Sequence, residues 1–566
     1  IEGDLTEIFI KQYESTPHKA KWKFTWSVIK YFRPEFMKSF KNSYQPNSYG
    51  MYKSYFKIGW RNLLRNKGYS FINIGGLAIG MMVAILNGLW IWHEFSYNKY
   101  FENYDRIAQV AEVGLDTERG GTFMGTTMTY PLGTELIEKY GQQFKRIART
   151  TSQTEKILTA GEVKISARGL YVDSEVPEMF SFKMLSGSRK ALDKMHTVVI
   201  AQSLATVLFG RQDPSGRTLR VNNTTDVTIT GVFEDFPQNA EFNEVKFFVP
   251  WSLYLSENKW IEERALTDWR NHFLKIYVEI PEGQSFETIA AQIKPALQFD
   301  PLDLEKALKR KKELNLYPMS AWHLHPPWMR TGQLEPMLML KLVGAIGAFV
   351  LALACINFVN LSTARAEKRA KEVGIRKTIG SIRSQLIKQF FTESFIVVMF
   401  AFLLALVLTA LLLPGFNEVA SKNIVMPWNN TWFWLSSLGF IVCTSLLSGF
   451  YPALYLSSFN PIKALKGTFR VGRLASVPRK VLVVFQFSIS GILIVGTIVV
   501  NQQIQYAKNR PVGYNREGLM MINKKTSDFK GKYEVLRNEL KNTGAVYEVS
   551  EAMGPVTEIY SGNSGW

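Results

Sequence analysis

Five long stretches without a charged residue constrain the fold of this chain more than any other feature. They cover residues 69–92, 342–364, 394–417, 423–462 and 481–507. A run of about 20 apolar residues matches the thickness of the hydrocarbon core of a bilayer, so each stretch predicts a membrane-spanning helix. The fourth stretch is too long for one span, and we place its span at about 432–456. The sequence therefore predicts a polytopic α-helical membrane protein.

The distribution of Lys and Arg predicts the orientation of these spans. The 566-residue chain has a net charge of +19, and residues 365–393 contain 8 basic residues against 3 acidic ones. Residues 463–480 contain 6 basic residues and no acidic one, whereas 418–431 has one of each. By the positive-inside rule, the N-terminus, 365–393 and 463–480 are cytoplasmic, and 93–341 and the tail after 507 lie outside. The net charge therefore requires no nucleic acid partner.

Residues 365–393, which we name the basic segment, lie between the second and third predicted spans. Glu372 precedes Arg376 by four residues, a spacing that stabilises a helix by a few tenths of a kcal/mol. Gly380 and Ser381 interrupt the pattern, with Ser381 as a candidate N-cap of a second helix. An apolar stripe follows at Ile382, Leu386 and Phe390. The pattern predicts a surface helix, a turn and an amphipathic helix that enters the membrane.

Two interpretations of the basic segment stay open on its residues alone. One is a topology anchor, which every multispanning protein needs on its cytoplasmic side. The other is a docking element for a cytoplasmic partner. At the N-terminus, residues 1–50 mix aromatic residues with lysines, which suits a membrane surface or a soluble helical hairpin. Residues 53–67 predict an interfacial amphipathic helix that leads into the first span.

The region between the first and second spans predicts a separate folded domain. Residues 107–333 are numerous enough for their own hydrophobic core. Strand-like alternation occurs at 196–202, 218–223, 226–235, 245–251 and 273–280. Helical patterns occur at 131–148 and 285–310. The predicted fold is therefore a large α+β extracytoplasmic domain between the first and second transmembrane helices.

Motifs of enzymatic chemistry are weak in this sequence. GRQDPSGRT at 210–218 resembles a phosphate loop, but it has one residue too many and Arg217 where a lysine is needed. His93-Glu94 lacks the second histidine of a zinc protease, and His323 and His325 have no acidic or cysteine ligand nearby in the sequence. We therefore expect no metal site, no cofactor and no enzymatic activity in this chain.

The predicted spans argue against ion-coupled transport. They contain no Asp, Glu, Lys or Arg, which secondary transporters usually need inside the membrane. Cys355 and Cys443 both fall in predicted spans, and we interpret them as packing residues rather than a disulfide. A docking segment inside and a large domain outside, without an energy source in the chain, indicate a partner that supplies energy.

Several segments resemble the ABC-transporter permeases of the FtsX/MacB type. EVGIRKTIGS followed by QLIKQFFTES resembles their cytoplasmic coupling segment. CINFVNLSTARAEKRAKEVGIRK, GFYPALYLSSFNPIKALKG and RKVLVVFQFSISGILIVGTIVVNQQIQY resemble the forms with two such units in one chain. HTVVIAQSLATVLFG and VTITGVFEDFPQNAEF resemble the MacB-like periplasmic core domain, and residues 1–50 resemble a prefix found on some of these permeases. Val373 departs mildly, because many relatives have Ile there.

The resemblance implies a function in the inner membrane. A separate cytoplasmic ATPase, expected as a dimer, would bind the ATP and drive motion of the outside domain by mechanotransmission. The ATPase-contacting residues would be Glu372, Gly374, Ile375, Arg376 and Lys377, and the stalks would be residues 93–106 and 334–341. The work would be export or extraction of a drug, peptide or lipoprotein-like substrate, with a periplasmic adaptor and an outer-membrane channel as further expected partners. The alternative is an FtsX-like scaffold that regulates a periplasmic partner such as a cell-wall hydrolase.

These inferences divide the chain into six regions. Their order is a cytoplasmic helical prefix, the first span with its flanks, the periplasmic core domain, a three-span region, a linker with the fifth span, and the start of a second periplasmic domain. Their bounds are 1–50, 51–106, 107–333, 334–467, 468–507 and 508–566. The predicted spans are at about 69–92, 342–364, 394–414, 432–456 and 481–503. The N-terminal Ile1 and the short second domain lead us to expect a fragment of a longer protein.

Overall fold

A computed structural model gives the fold of most of the chain. It describes residues 48–115, 122–301, 303–326, 335–364, 366–457, 473–511, 513–515, 517–524, 529–552 and 554. Most of the expected helical prefix, and residues 463–472 of the expected third basic loop, lie outside the described residues. The described residues divide into two compact units. One contains residues up to Ala78, Cys355–Leu404 and Thr431–Val483, and the other contains Ile79–Ala354, Ala405–Asn430 and residues from Val484 onward.

The described helices are numbered here in chain order. They are α1 (Ser48–Arg65), α2 (Lys67–Phe95), α3 (Tyr130–Tyr140), α4 (Val176–Met179), α5 (Gln202–Phe209), α6 (Trp251–Glu257), α7 (Phe286–Ile293), α8 (Leu304–Lys309), α9 (Pro336–Ala364), α10 (Ala366–Thr378), α11 (Arg383–Ala420), α12 (Thr431–Ser457), α13 (Arg473–Asn509) and α14 (Tyr533–Asn542). Within the described ranges, α2, α9, α11, α12 and α13 contain the five segments that are long and apolar enough to cross a membrane.

The described strands all lie in the chain between α2 and α9. They are β1 (Ile107–Leu115), β2 (Thr122–Gly125), β3 (Met128–Thr129), β4 (Arg146–Thr150), β5 (Thr154–Ala160), β6 (Val163–Val172), β7 (Met184–Ser186), β8 (Thr197–Ala201), β9 (Thr218–Val221), β10 (Thr225–Phe233), β11 (Val245–Pro250), β12 (His272–Glu279) and β13 (Glu313–Pro318). We name the described part of residues 96–326 the inserted domain. Its mixture of strands and short helices is an α+β fold, as the sequence predicted.

Six strands of the inserted domain close into a barrel. The sheet order is β11-β8-β10-β9-β5-β6-β4-β12-β1-β13, and β11 also pairs with β6. The ring is therefore β6, β11, β8, β10, β9 and β5, in which β11–β6 and β10–β8 are parallel pairs. Strand β4 joins the barrel to an antiparallel extension through the pairing of Thr150 with Val172. Closure leaves the barrel strands without free edges.

The helical predictions in this domain were longer than the observed helices. The pattern at 131–148 ends as a helix at Tyr140, and a strand begins at Arg146. The pattern at 285–310 forms two separate helices, α7 and α8. Pro295 and Pro301 stand between them, and proline interrupts the helical hydrogen bonds. In both cases the apolar periodicity continues past a residue that ends the helix.

Both chain connections of the inserted domain enter one aromatic core. Phe101, which follows α2, lies 5.5 Å from Phe180 between ring centroids. Trp322, which precedes α9, lies 5.4 Å from Tyr277 and donates its indole N–H to the carbonyl of Tyr317. These rings are buried, and aromatic pairs at such distances attract each other. The expected helical stalk at 93–106 is therefore helical only to Phe95, because the following turns bury Phe101 in the domain.

Small residues bring α2 and α9 close together. In the first compact unit, the hydroxyl of Tyr69 lies 3.0 Å from the hydroxyl of Ser362. In the second unit, a Cβ atom added at Gly80 would lie 2.5 Å from the Cβ of Ala354. A side chain at position 80 would therefore force the helices apart. Small residues serve this purpose in membrane helices, where packing rather than water drives association.

Closure of the barrel predicts a strict requirement for glycine at position 169. Gly169 on β6 pairs with Phe247 on β11, and a Cβ atom there would overlap the Phe247 ring. We expect Gly169→Ala to destabilise the domain by about 1–3 kcal/mol through overpacking. The measurement is thermal unfolding of the full chain in detergent, where the transition of the domain should shift by about 2–4 °C per kcal/mol.

A matched control is available on β2. Gly125→Ala meets no atom within 4 Å, so it should leave the transition unchanged. Equal melting temperatures for the Gly169→Ala and Gly125→Ala variants would contradict the proposed close packing of Gly169 against Phe247.

Candidate functional site

The first helix of the basic segment ends in a glycine turn. The N–H of Gly380 donates to the carbonyl of Lys377 (3.1 Å), and the N–H of Ser381 donates to the carbonyl of Arg376 (2.9 Å). This is the Schellman pattern, which satisfies the last carbonyls of a helix. Gly380 has φ +105°, a conformation that residues with a Cβ atom rarely adopt. The turn therefore fixes the direction in which the chain leaves α10.

The second helix begins one residue later than a Ser381 cap would require. Helix α11 starts at Arg383, and the N–H of Ile382 donates to the side-chain carbonyl of Gln385 (3.3 Å). The prediction of Ser381 as the N-cap was wrong, because Ile382 precedes the first helical residue and its carbonyl accepts from the N–H of Gln385 (3.1 Å). Helix α11 then continues to Ala420, so residues 383–393 form its first turns rather than a loop.

A buried contact holds α10 against its neighbours. Val373 packs in a cluster with Leu386 and Phe390 of α11 and Ala453 of α12. Val373 and Leu386 are each 2% exposed, and Ala453 is fully buried. Burying such side chains stabilises a contact by about 1.5–3 kcal/mol each. The helix α10 is therefore attached to two membrane helices at one point, and the conservative Val373 keeps that apolar contact.

Arg376 makes a polar contact beside this cluster. Its guanidinium donates to the side-chain carbonyl of Gln389, and the Gln389 amide donates to Glu393 (3.0 Å). Gln389 is buried, and Arg376 is half-buried. Removing the hydrogen-bond partner of a buried amide lowers the free energy of unfolding by about 1–3 kcal/mol. Arg376 therefore has an internal structural contact, which the sequence did not predict.

Three isoleucines of the basic segment are exposed rather than packed in the buried Val373 cluster. Ile375, Ile379 and Ile382 are 49%, 80% and 60% exposed. Ile382 was predicted on one apolar stripe with Leu386 and Phe390, but it precedes the first turn of α11 and is exposed, whereas those two residues are buried. Three exposed isoleucines on one short segment are the kind of apolar patch that marks an interaction site. We name these three residues the isoleucine patch.

Basic residues accompany the isoleucine patch. Arg376 and Lys377 lie in the last turn of α10, where positive charge is favourable at the C-terminal end of a helix. Partial burial, and the neighbouring charge of Arg383, lower the pKa of Lys377. Two like charges near each other favour an acidic group on any partner that binds here.

The five residues predicted to contact an ATPase do not share one environment. Glu372 and Ile375 are exposed, Arg376 and Lys377 are half-buried, and Gly374 is buried. Ile379 and Ile382 extend the exposed surface beyond the predicted set. The signal that could have found them is the break at Gly380, which ends one amphipathic pattern before the next begins.

A second polar site lies at the C-terminal end of α2. The sequence did not predict it. Glu94 is buried, and its carboxylate accepts from His323 and pairs with Lys422 at 2.8 Å. His93 Nδ1 lies 3.6 Å from the same carboxylate, and Tyr97 stacks on His323 with ring centroids 3.9 Å apart. We name Glu94, His93, His323 and Lys422 the Glu94 cluster. Its members come from three segments that are far apart in sequence, so only the fold brings them together.

The Glu94 cluster contains two histidines and a carboxylate, but they are not arranged as a metal site. Within the described parts of the chain, no group of three or more His, Cys, Asp or Glu is placed to hold a metal ion. Lys422 instead supplies the positive charge that the buried carboxylate requires. The cluster is therefore a charge-balanced contact between three segments of the chain.

Comparison with known proteins identifies both halves of this architecture. A family model of the MacB-like periplasmic core domain matches residues 70–296, and one of the FtsX-like permease C-terminal domain matches residues 344–461. The Macrolide export ATP-binding/permease protein MacB of Pasteurella multocida (strain Pm70) is 24% identical over 270 residues, which are 47% of this chain and 37% of that protein.

Two further known proteins are similar to parts of this chain. The Uncharacterized ABC transporter permease YknZ of Bacillus subtilis (strain 168) is 22% identical over 271 residues, 47% of this chain and 61% of that protein. The crystal structure of the periplasmic region of MacB from Actinobacillus actinomycetemcomitans is 15% identical, covers 39% of this chain and 95% of that one, and has a TM-score of 0.27. That score is too low to support a conclusion about the fold.

The two matching domains occur in the order that the sequence motifs predicted. This chain is therefore similar over these two regions to the ABC transporter permeases of the MacB/FtsX type. Its matches span 37% of the Pasteurella protein and 61% of the Bacillus protein. The isoleucine patch lies on the matched FtsX-like domain, and the inserted domain lies mainly within the MacB-like match.

Proposed function

We propose that this chain is the transmembrane subunit of an ABC transporter that couples ATP hydrolysis by a separate ATPase to motion of the inserted domain. The observation that carries this proposal is the isoleucine patch, which extends from Ile375 of α10 into the following turn, on a helix whose Val373 is buried against α11 and α12. A partner that binds the patch can push on α10 without unfolding it. The buried Val373 contact then passes the displacement to two membrane helices.

The chemistry of the patch indicates the kind of partner surface. Ile375, Ile379 and Ile382 suit an apolar pocket, and Lys377 beside Arg383 suits an acidic rim. Apolar anchors surrounded by charge are typical of stable protein interfaces. The partner in this proposal is a cytoplasmic ABC ATPase that acts as a dimer and binds the ATP.

The substrate in this proposal is exported or extracted on the far side of the membrane from the ATPase. The inserted domain is periplasmic, and the chain is a multi-pass protein of the inner membrane. A drug, a peptide or a lipoprotein-like molecule would be moved by the domain. A substrate that must also cross the outer membrane requires a periplasmic adaptor and an outer-membrane channel.

The orientation can be tested with single cysteines in a variant that lacks Cys355 and Cys443. Ser215 of the inserted domain and Ser384 of the basic segment are both exposed, and serine to cysteine is a small change at each position. We expect a membrane-impermeant thiol reagent to label the Ser215→Cys variant and not the Ser384→Cys variant in intact spheroplasts. After lysis, both variants should react. Labelling at position 384 in intact spheroplasts would contradict the orientation.

The docking role can be tested at Ile379, the most exposed member of the patch. Ile379→Glu removes an apolar anchor without opening a cavity, so the fold should be retained. Full burial of an isoleucine contributes about 1.5–3 kcal/mol, and every 1.4 kcal/mol is about tenfold in affinity. We expect at least a tenfold loss of affinity for the cognate ATPase, measured by titration of the purified proteins.

The matched control is Leu308→Glu, an exposed leucine of the inserted domain. It introduces the same charge far in sequence from the patch and should leave ATPase binding unchanged. Arg376→Glu is a poorer test, because it also breaks the contact with Gln389. Normal ATPase affinity in the Ile379→Glu variant would refute the docking role and leave the basic segment as a topology anchor.

A further inference from the structure

We propose that the loop between α11 and α12 is a third mechanical attachment of the membrane helices to the inserted domain, in addition to the two chain connections. Lys422 and Asn423 of this loop bind Glu94 and Gln238. Transmission of motion through this loop depends on the proposed function. The attachment itself can be tested without an ATPase. Lys422 and Gln238 are its positioning residues.

The first half of the attachment is the charge pair of Lys422 with Glu94. The Glu94 side chain is 7% exposed and that of Lys422 is 21% exposed, and the two charged groups are 2.8 Å apart. A buried carboxylate that loses a cationic partner is strongly destabilised, so the loop is held where Lys422 reaches Glu94. His323 binds the same carboxylate from the segment that precedes α9. One carboxylate thus joins the end of α2, the end of the inserted domain and the loop.

The second half is the amide of Gln238, which binds the loop backbone twice. Its nitrogen donates to the carbonyl of Ser421 (3.4 Å), and its oxygen accepts from the N–H of Asn423. Gln238 follows strand β10 and lies on the inserted domain. The contact requires one defined loop conformation, since both partners are backbone atoms, and Ser421 has φ +51°.

The loop has this conformation because α11 imposes it. Asn417 in the last turn of α11 donates to the carbonyl of Ile424 (2.9 Å) and accepts from the N–H of Ile424 (3.1 Å). The N–H of Lys422 also donates to the carbonyl of Asn417 (2.9 Å). The residues that contact the inserted domain are therefore fixed to the end of α11 and move with it.

The domain side is equally fixed. Asn98, which is fully buried with φ +65°, donates its N–H to the carbonyl of Asn239 (2.8 Å). Its side-chain oxygen accepts from the N–H of Glu241 (2.8 Å), so residues 237–241 are tied to the exit of α2. Phe236 and Phe242, on either side of this loop, are buried in the aromatic core. A displacement of Gln238 therefore reaches the core of the inserted domain.

The other end of α11 completes the path. The helix begins at Arg383, directly after the turn at Gly380, and has 38 residues. At 1.5 Å per residue, it is about 57 Å long, enough to cross a bilayer. A force applied to the basic segment enters this helix at one end, and the loop that it holds delivers the force to Gln238 and Glu94.

The experiment is hydrogen exchange by mass spectrometry on the full chain in lipid nanodiscs. The test variant combines Gln238→Ala with Lys422→Met, and Lys139→Met is the control because it removes a lysine from an exposed ion pair within α3. Without an ATPase, we expect amide exchange of residues 421–424 and 237–241 to become at least about fivefold faster in the test variant, since it removes the bonds that join these loops. Gln238→Ala alone, which truncates a half-buried side chain and keeps Glu94 paired, should accelerate exchange at 421–424.

Unchanged exchange at 421–424 in the Gln238→Ala variant would overturn the attachment, whatever the ATPase does.

In a second arm, the cognate ATPase is added with trapped ATP. We expect ATP to change exchange at 237–241 in the control and not in the test variant, with equal ATPase binding by both. Equal ATP responses in both variants would overturn transmission through this loop. Failure of the unmodified chain to bind the ATPase would refute the proposed function instead, and the first arm would still decide the attachment.

Discussion

The burial of Val373 between α11 and α12 is the contact on which the functional account depends. It attaches α10 to the membrane helices through an apolar contact. The turn at Gly380 then sets the angle between α10 and α11, and the Arg376–Gln389 contact limits rotation about that point. The outward face is consequently free to carry isoleucines for a partner, while the inward face is rigid enough to transmit force.

The inserted domain has the complementary property of rigid attachment. Its two chain connections both end in one aromatic core, at Phe101 and Trp322. Aromatic side chains interlock over large areas, so such a core resists deformation when one connection is displaced. The closed barrel has no free strand edges. At the exit of α2, Lys422 neutralises the Glu94 carboxylate. A domain built in this way is expected to resist internal rearrangement.

The sequence predicted the features that composition and periodicity decide. A long charge-free run identifies a membrane helix regardless of which helices pack against it. The alternation of apolar and polar residues identified the strands β8 to β12. The strand β1 was missed because nearly all of its residues are buried, which removes the alternation. The internal contact of Arg376 was not predicted, because its partner, Gln389, lies across the turn at Gly380. Glu94, His323 and Lys422 could not be joined, since their contact exists only after three distant segments have folded.

The central claim is that force applied at the basic segment moves the inserted domain. Double electron–electron resonance between spin labels at positions 384 and 215, in the full chain with its ATPase, measures the distance between the basic segment and the inserted domain. The account predicts that trapping ATP shifts the distribution of label distances in the unmodified background and leaves it unshifted when Ile379 is replaced by Glu. Identical distributions with and without ATP, while the ATPase remains bound to the unmodified chain, would contradict the account.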